Sequence, residues 1–405
     1  AWQETLHPSE IELGLARIAT VFHHLHPQPE LPPVITVAGT NGKGSSVAML
    51  DAIYRAAGYK VGKYTSPHIF RYNERICIDG EAVTDELLCE AFERIEQARG
   101  DTSLTYFEFG TLAALDIFLQ HELEVIILEV GLGGRLDAVN IIDADVSLIT
   151  AISKDHTQWL GNDVSTIAKE KAGIMRSNKP VVSSGYSETE TLNQCAAETG
   201  AVFYQAGNDF TVNKQDNDTW HWQYQQQLRS ALPIPALYGE HQLTNAAGVL
   251  MVIELLSQHL PVSQQAIRQG LMMVKLPGRF QIITGDPVCI FDVAHNIDAL
   301  NQLAKQLQDY SCKGRTLAVL GMLADKDSQA ALVEISQRID EWFIAQLPTA
   351  LTALAEDLDT VLKSIDSKIY SHVCESLSWA FAQAQQAANH GDCIVVFGSF
   401  YTVAE

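Results

Sequence analysis

Val34-Ile35-Thr36-Val37-Ala38-Gly39-Thr40-Asn41-Gly42-Lys43-Gly44-Ser45-Ser46 begins with five residues suited to a buried strand and runs directly into a glycine-rich turn carrying one lysine. From Ser45 the apolar spacing predicts a helix to Ala57, stopped by Gly58. Strand, glycine turn and helix in that order aim backbone N–H groups and the positive end of the helix dipole at one point, where phosphate oxygens can sit beside the lysine. The reading is a phosphate-gripping loop for ATP, with Thr40, Asn41, Gly42 and Lys43 on the phosphates. The general loop of this kind has four residues between its first glycine and Gly-Lys, followed by Ser or Thr. Here only Thr40 and Asn41 intervene, and Gly44 follows Lys43, so the hydroxyl that usually meets Mg²⁺ is missing. The metal must find its oxygen at Ser45, Ser46 or a more distant residue.

Outward from the loop, apolar strand-like runs alternate with amphipathic stretches, the pattern of a mostly parallel sheet covered by helices. Residues 60–64, 125–128 and 146–149 read as strands, and 85–98, 106–121 and 242–257 as helices. Glu129 closes the run 125–128, where a parallel strand delivers a carboxylate to the phosphate edge of a sheet, a natural Mg²⁺ ligand. Between 211 and 227 polar and aromatic residues alternate around Asp216-Asn217-Asp218, which predicts an antiparallel hairpin with Trp220, Trp222 and Tyr224 on one face, packed on its domain. Leu276-Pro277-Gly278 breaks a helical stretch, and new strands follow at 288–292, 316–320, 342–345 and 392–397. The expected class is α/β: a P-loop-type ATPase domain with a mostly parallel sheet over residues 1–275, then a smaller Rossmann-like α/β domain over 276–405.

Composition narrows the function classes. A chain of 405 residues, 47% hydrophobic, can bury two cores. The net charge of -22 argues against a nucleic-acid partner, which clustered Lys and Arg would serve. Residues 39–75 nevertheless carry Lys43, Arg55, Lys60, Lys63, Arg71 and Arg75 against Asp51 and Glu74, which suits small anionic substrates at one site. Seven scattered cysteines without a Cys-x-x-Cys pair make a disulfide framework or zinc site improbable. The absence of a long uninterrupted apolar stretch leads to the expectation of a cytoplasmic protein without a membrane partner, acting as a monomer.

Several longer motifs occur in order with the loop: Tyr64-Thr65-Ser66-Pro67-His68, then Leu128-Glu129-Val130-Gly131-Leu132-Gly133-Gly134-Arg135-Leu136-Asp137-Ala138-Val139-Asn140, then Asp155-His156-Thr157-Gln158-Trp159-Leu160-Gly161. Glu170-Lys171-Ala172-Gly173-Ile174, Pro277-Gly278-Arg279-Phe280, Asp292-Val293-Ala294-His295-Asn296 and Gly321-Met322-Leu323-Ala324-Asp325-Lys326-Asp327 continue the series. With these the chain closely resembles the bifunctional dihydrofolate synthase/folylpolyglutamate synthase family of the Mur ligase superfamily, over nearly its whole length. The resemblance implies a ligase that phosphorylates a carboxylate with ATP and lets the amine of L-glutamate displace phosphate. The carboxylate would belong to dihydropteroate or to a reduced folate. It also implies that the N-terminal domain holds the phosphate loop and pterin site, while the C-terminal domain closes over nucleotide and glutamate.

The same resemblance assigns residues. Ser66 becomes the metal-ligating serine in place of the loop hydroxyl, with Pro67 stiffening its turn; Glu129 shares that Mg²⁺, and His156 binds a second Mg²⁺. Lys171, which by itself reads as part of a solvated helix face, becomes a lysine carbamylated by CO₂. Lys43, His156 and Lys171 form the implied catalytic set. Asn245, Arg279 and Asp292 match positions for adenine, phosphate and ribose, and His295 a position near the nucleotide. Where the family usually has Pro after His-Asn, this chain has Ile297. The implied pterin contacts are Glu12, Leu13, Gly14 and Leu15, then Thr105, Tyr106, Phe107 and Glu108, then Leu136, Asp137 and Ala138. Phe107 could stack on the ring or be simple core, and Asp137 could accept ring N–H bonds. Two rivals stand beside this reading. One is a Mur-type ligase acting on a cell-wall precursor, disfavoured by the segments at Thr65–His68 and Asp155–Gly161. The other is a non-catalytic nucleotide-binding regulator, which would be expected to lack Glu129, His156 or Lys171.

Overall fold

The computed structural model describes residues 2–7, 9, 11–161, 163–215 and 219–405. The chain forms two compact units. The first comprises Ala1–Ser153, Gln158–Ala236 and Gln242–Val274; the second comprises Lys154–Thr157, Leu237–His241 and Lys275–Glu405.

In the first unit the strands are β1 (Val34–Ala38), β2 (Val61–Tyr64), β3 (Ile76–Ile78), β4 (Glu81–Ala82), β5 (Val125–Glu129), β6 (Val146–Ile149), β7 (Pro180–Ser183) and β8 (Val202–Gln205). Among the described residues they make one eight-stranded sheet in the order β4-β3-β2-β5-β1-β6-β7-β8. From β2 to β8 in that order every pairing is parallel, while β3 pairs antiparallel with both β2 and β4. β1 and β5 are buried at every position, which explains why both read as unbroken apolar runs rather than alternating ones. The helices α1 (Ala16–Leu25), α2 (Lys43–Ala56), α3 (Asp85–Arg99) and α4 (Tyr106–Leu119) belong to this unit. α2 starts two residues before the predicted Ser45, because Gly42 in the left-handed region (φ 96°) turns the chain from β1 straight into the helix.

The hairpin region folds as β9 (Phe210–Lys214), β10 (Thr219–Tyr224) and β11 (Gln227–Pro233), an antiparallel sheet. The predicted turn at Asp216-Asn217-Asp218 lies outside the described residues. Trp220 and Trp222 are fully buried, and their indole N–H groups donate to Pro233 O (2.8 Å) and Ala247 O (3.1 Å). The aromatic face is therefore packing, not a ligand platform.

The second unit carries β12 (Gln281–Ile283), β13 (Val288–Phe291), β14 (Thr316–Leu320), β15 (Glu341–Ile344), β16 (Ser371–Val373) and β17 (Cys393–Phe397). Among the described residues these order as β12-β13-β17-β14-β15-β16, parallel except for β12. Each face of this sheet has its own apolar core, one built around Leu300, Leu303, Leu332 and Leu358, the other around Leu377, Ala380 and Ala384. Among the described residues no helix is long and apolar enough to cross a membrane.

Candidate active site

In the first unit, the C-terminal ends of β1, β2 and β5 gather the predicted residues. Thr40 and Asn41 N–H groups donate to Ala151 O (2.8 and 3.2 Å), and Thr40 Oγ1 is tied to the main chain of Ser153. Lys43 Nζ curls back to Gly39 O (3.1 Å) and Thr40 O (3.2 Å). No side chain caps the start of α2, the arrangement an anionic phosphate completes. Asn245 backs the loop so closely that a Cβ at Gly42 would stand 2.5 Å from its Oδ1, and its Nδ2 donates to Gln242 Oε1 (3.0 Å).

Of the serines near the loop, Ser45 and Ser46 lie on α2 and Ser66 lies just past β2. Ser45 and Ser46 are buried, and Ser45 Oγ already accepts from Gln242 Nε2 (3.3 Å). Ser66 instead stands just past β2 beside Glu129, the last residue of the neighbouring β5; its N–H donates to Glu129 Oε2 (3.3 Å). A hydroxyl and a buried carboxylate side by side offer hard oxygen donors, the set that suits Mg²⁺ or Mn²⁺. Among the described residues no group of three or more His, Cys, Asp or Glu side chains is gathered to hold a metal.

Lys171 overturns its solvated-face reading. On the helix Val164–Ala172, Ile167, Ala168, Lys171 and Ala172 form one buried stripe while Lys169 faces solvent. Only 3% of Lys171 is exposed, and its Nζ donates to Gly39 O of the phosphate loop (2.8 Å). The helix is pressed against the glycine turn before Asp137: a Cβ at Gly134 would stand 2.8 Å from Glu170 O and 3.0 Å from Lys171 O.

The pterin candidates fall into two groups. Thr105 and Glu108 cap α4 reciprocally, with Glu108 N–H donating to Thr105 Oγ1 (3.2 Å) and Thr105 N–H to Glu108 Oε2 (2.8 Å). Arg17 joins this cap to the segment of Leu13, Gly14 and Leu15, since it pairs with Glu108 (3.1 Å) and also with Glu12. Sequence reading missed Arg17. The half-buried Phe107 lies 6.0 Å from the Tyr64 ring and covers Gly131. Asp137 is buried and accepts from Leu132 N–H (2.8 Å) and Val139 N–H (3.1 Å), while Leu136 and Ala138 flank it. Burial pushes its carboxyl up to about 6 against the pull of those N–H groups and of the Lys43 charge.

In the second unit, Asp292 at the end of β13 accepts from Phe280 N–H and Ala294 N–H (2.7 Å each). Burial raises its pKa, opposed by the nearby Arg279. The Arg279 guanidinium lies over the Phe400 ring (5.2 Å). His295 Nδ1 is 2.7 Å from Val293 O. Asn296 caps the helix that Ile297 opens, so the usual proline position is the first helical residue and its loss leaves the cap in place. A cluster missed from the sequence surrounds the residue before His156: Asp155 takes Lys326 Nζ (2.7 Å) and Asn296 Nδ2 (3.0 Å), with His295 Nε2 at 3.5 Å. Burial alone would raise the Asp155 pKa, but the His295 bond and the His156 and Lys326 charges hold it well below the carboxylate range. His156 itself has positive φ (49°). Asp155, Asn296 and Lys326 all lie inside the motifs that carry the family resemblance, and that membership is their only signal in the sequence.

The Mur ligase middle domain family model matches residues 37–253, and the Mur ligase, glutamate ligase domain model matches residues 278–400. The dihydrofolate synthase/folylpolyglutamate synthase of Escherichia coli (strain K12) is 43% identical over 404 residues, covering 100% of this chain and 93% of that protein. Among solved structures, E. coli FolC in complex with DHPP and ADP matches with a TM-score of 0.94 at 43% identity, covering 100% of this chain and 94% of that one. A bifunctional folylpolyglutamate synthase/dihydrofolate synthase with Mn, AMPPNP and L-glutamate bound matches with a TM-score of 0.91 at 43% identity, covering 100% of this chain and 95% of that one.

Proposed function

The chain belongs to the dihydrofolate synthase/folylpolyglutamate synthase family of Mur ligases, and from that premise we propose that it uses ATP to join L-glutamate to dihydropteroate and to reduced folates through an acyl phosphate. The observation that carries this reading is the buried Lys171 amine on the Gly39 carbonyl of the phosphate loop, beside the Ser66 and Glu129 pair at the same sheet edge. A mere nucleotide-binding protein has no need of a buried lysine there.

In this reading a carboxylate oxygen of the acceptor attacks the γ-phosphorus and ADP leaves. The glutamate amine then attacks the acyl carbon, phosphate departs with the carbon–oxygen bond, and the nitrogen loses its proton to give the amide. Thr40, Asn41, Gly42 and Lys43 form the loop around the phosphates, which the N–H groups at the start of α2 and the Lys43 charge would hold in line. Ser66 and Glu129 would hold one Mg²⁺, and His156 is the proposed ligand of a second. Divalent ions bound there would neutralise the anions that must approach one another. Lys171, carbamylated by CO₂, would exchange a buried cation for a carboxylate-like group. Asn245 and Arg279 serve adenine and phosphate, and His295 stands by the nucleotide. Asp292 keeps lone pairs for ribose hydroxyls beyond its two N–H bonds. The pterin would lie against Phe107, with Asp137 as acceptor and residues 12–15, 105–108 and 136–138 around it.

Phosphate release from ATP with Mg²⁺ and L-glutamate tests the reading, with dihydropteroate and tetrahydrofolate as alternative acceptors. Release with both is expected. Release with neither refutes the proposal, and release with a muramyl peptide precursor instead puts the cell-wall rival in its place.

A further inference from the structure

Arg75 precedes β3 and is 7% exposed, yet among the described residues no carboxylate lies within ion-pair distance of it. The adjacent Glu74 is committed elsewhere, accepting from the main-chain N–H groups of Ile69, Phe70 and Arg71 (2.9, 3.0 and 2.7 Å). The guanidinium is held by neutral groups: the rings of Tyr72 and Tyr106, whose centroids lie 5.3 and 5.1 Å away, and His68 Nδ1, to which Nε donates (2.8 Å). A guanidinium does not lose its proton, and burying one without a counter-charge costs several kcal/mol, of which ring faces return about 0.5–2 kcal/mol each. A site built this way is completed by an anion.

Its place in the first unit says which anion. Thr65 N–H donates to Arg75 O (2.8 Å), so Arg75 is fastened to the strand end that carries Ser66. On its other side Tyr106 and Phe107 open α4, and the Phe107 ring lies 6.0 Å from that of Tyr64 at the end of β2. Arg75 thus adjoins both the phosphate edge and the pterin candidates. His68 adds a second donor: a guanidinium N–H can only donate, so Nδ1 must accept and the ring proton resides on Nε2.

Resting on the ligase reading above, we propose that Arg75, with the Nε2–H of His68 beside it, binds the carboxylate of the pteroate-type acceptor and orients it for phosphorylation. Arg75 is then a substrate-binding residue that selects for an anionic terminus, separate from the residues that hold ATP.

The test is calorimetric titration of the full chain, with Mg-ADP present, by dihydropteroate and by its carboxamide, which has the same rings and no charge. The wild type is expected to prefer the carboxylate by on the order of 10–100-fold. Arg75→Gln is expected to abolish that preference while the affinity for ADP is retained, and Arg75→Lys, which keeps the charge but loses the fork, to fall between. A preference unchanged in Arg75→Gln overturns the proposal, as does equal weakening of both ligands, the mark of a purely structural arginine. Should Arg75→Gln lose ADP binding too, the preference in Arg75→Lys and His68→Asn decides, an undiminished value in both overturning the proposal. A wild type that binds ADP but neither ligand refutes the folate reading itself, and this inference with it.

Discussion

Replacing Lys171 by methionine and, separately, by alanine divides its packing from its chemistry. The side chain is 3% exposed and its Nζ donates to Gly39 O at 2.8 Å. Methionine fills nearly the same volume, so Lys171→Met loses chiefly the charge-assisted bond, about 1.5–3 kcal/mol. At 2–4 °C per kcal/mol for a unit of this size, the first unit should melt roughly 3–12 °C lower. Lys171→Ala adds a cavity costing about 2–5 kcal/mol more. If the carbamate is required, both variants lose kcat by on the order of 10²–10³ or more, well beyond what the fraction folded explains. Added formate or acetate should restore part of the rate in Lys171→Ala, where the cavity admits a small carboxylate, and none in Lys171→Met. Steady-state phosphate release and thermal melting, run on the same samples, read both effects. A normal rate in Lys171→Ala, or a loss that merely follows unfolding, rules out a carbamate at Lys171 as part of the chemistry.

Glu129→Gln keeps an acceptor for Ser66 N–H but removes the charge, so half-saturation by Mg²⁺ should rise on the order of 10–100-fold while metal-free ADP binding stays near wild type; an unchanged metal titration would count against the Ser66–Glu129 site. Gly134→Ala drives a Cβ against the fixed carbonyls of Glu170 and Lys171, and should cost about 1–3 kcal/mol in denaturant unfolding, where a neutral effect would show that the helix Val164–Ala172 yields. For Asp137 the folded pKa is raised from 3.8 to about 6, so its protonated form favours the fold. That contribution is complete below about pH 4 and is lost as pH rises through about 6, ~3 kcal/mol in all. Asp137→Asn should flatten this part of the stability–pH curve, and parallel curves for the two proteins would remove the assignment.

The phosphate loop, β1, β5 and Glu129 were legible because strands buried on both faces announce themselves as apolar runs, and a glycine turn leaves few alternatives for the next residues. β3, β4 and β8 were not, being short or largely exposed, with no run or alternation to read. Lys171 was masked by charged neighbours, although the stripe Ile167, Ala168, Lys171, Ala172 at helical spacing was present to be counted. Asp137 and Glu108 were read as ligand contacts, yet much of their hydrogen bonding serves local caps. The partners Asp155–Lys326 and Arg17–Glu108 lie 171 and 91 residues apart, and no local rule joins residues at such distances.

The proposed reaction passes through an acyl phosphate on the acceptor carboxylate. Dihydropteroate carrying the heavy oxygen isotope in both carboxylate oxygens, incubated with ATP, Mg²⁺, L-glutamate and the protein, tests it by mass spectrometry of the released phosphate. Transfer through an acyl phosphate leaves one heavy oxygen in each phosphate and one in the new amide carbonyl. Phosphate free of the label, formed alongside glutamylated product, would contradict it.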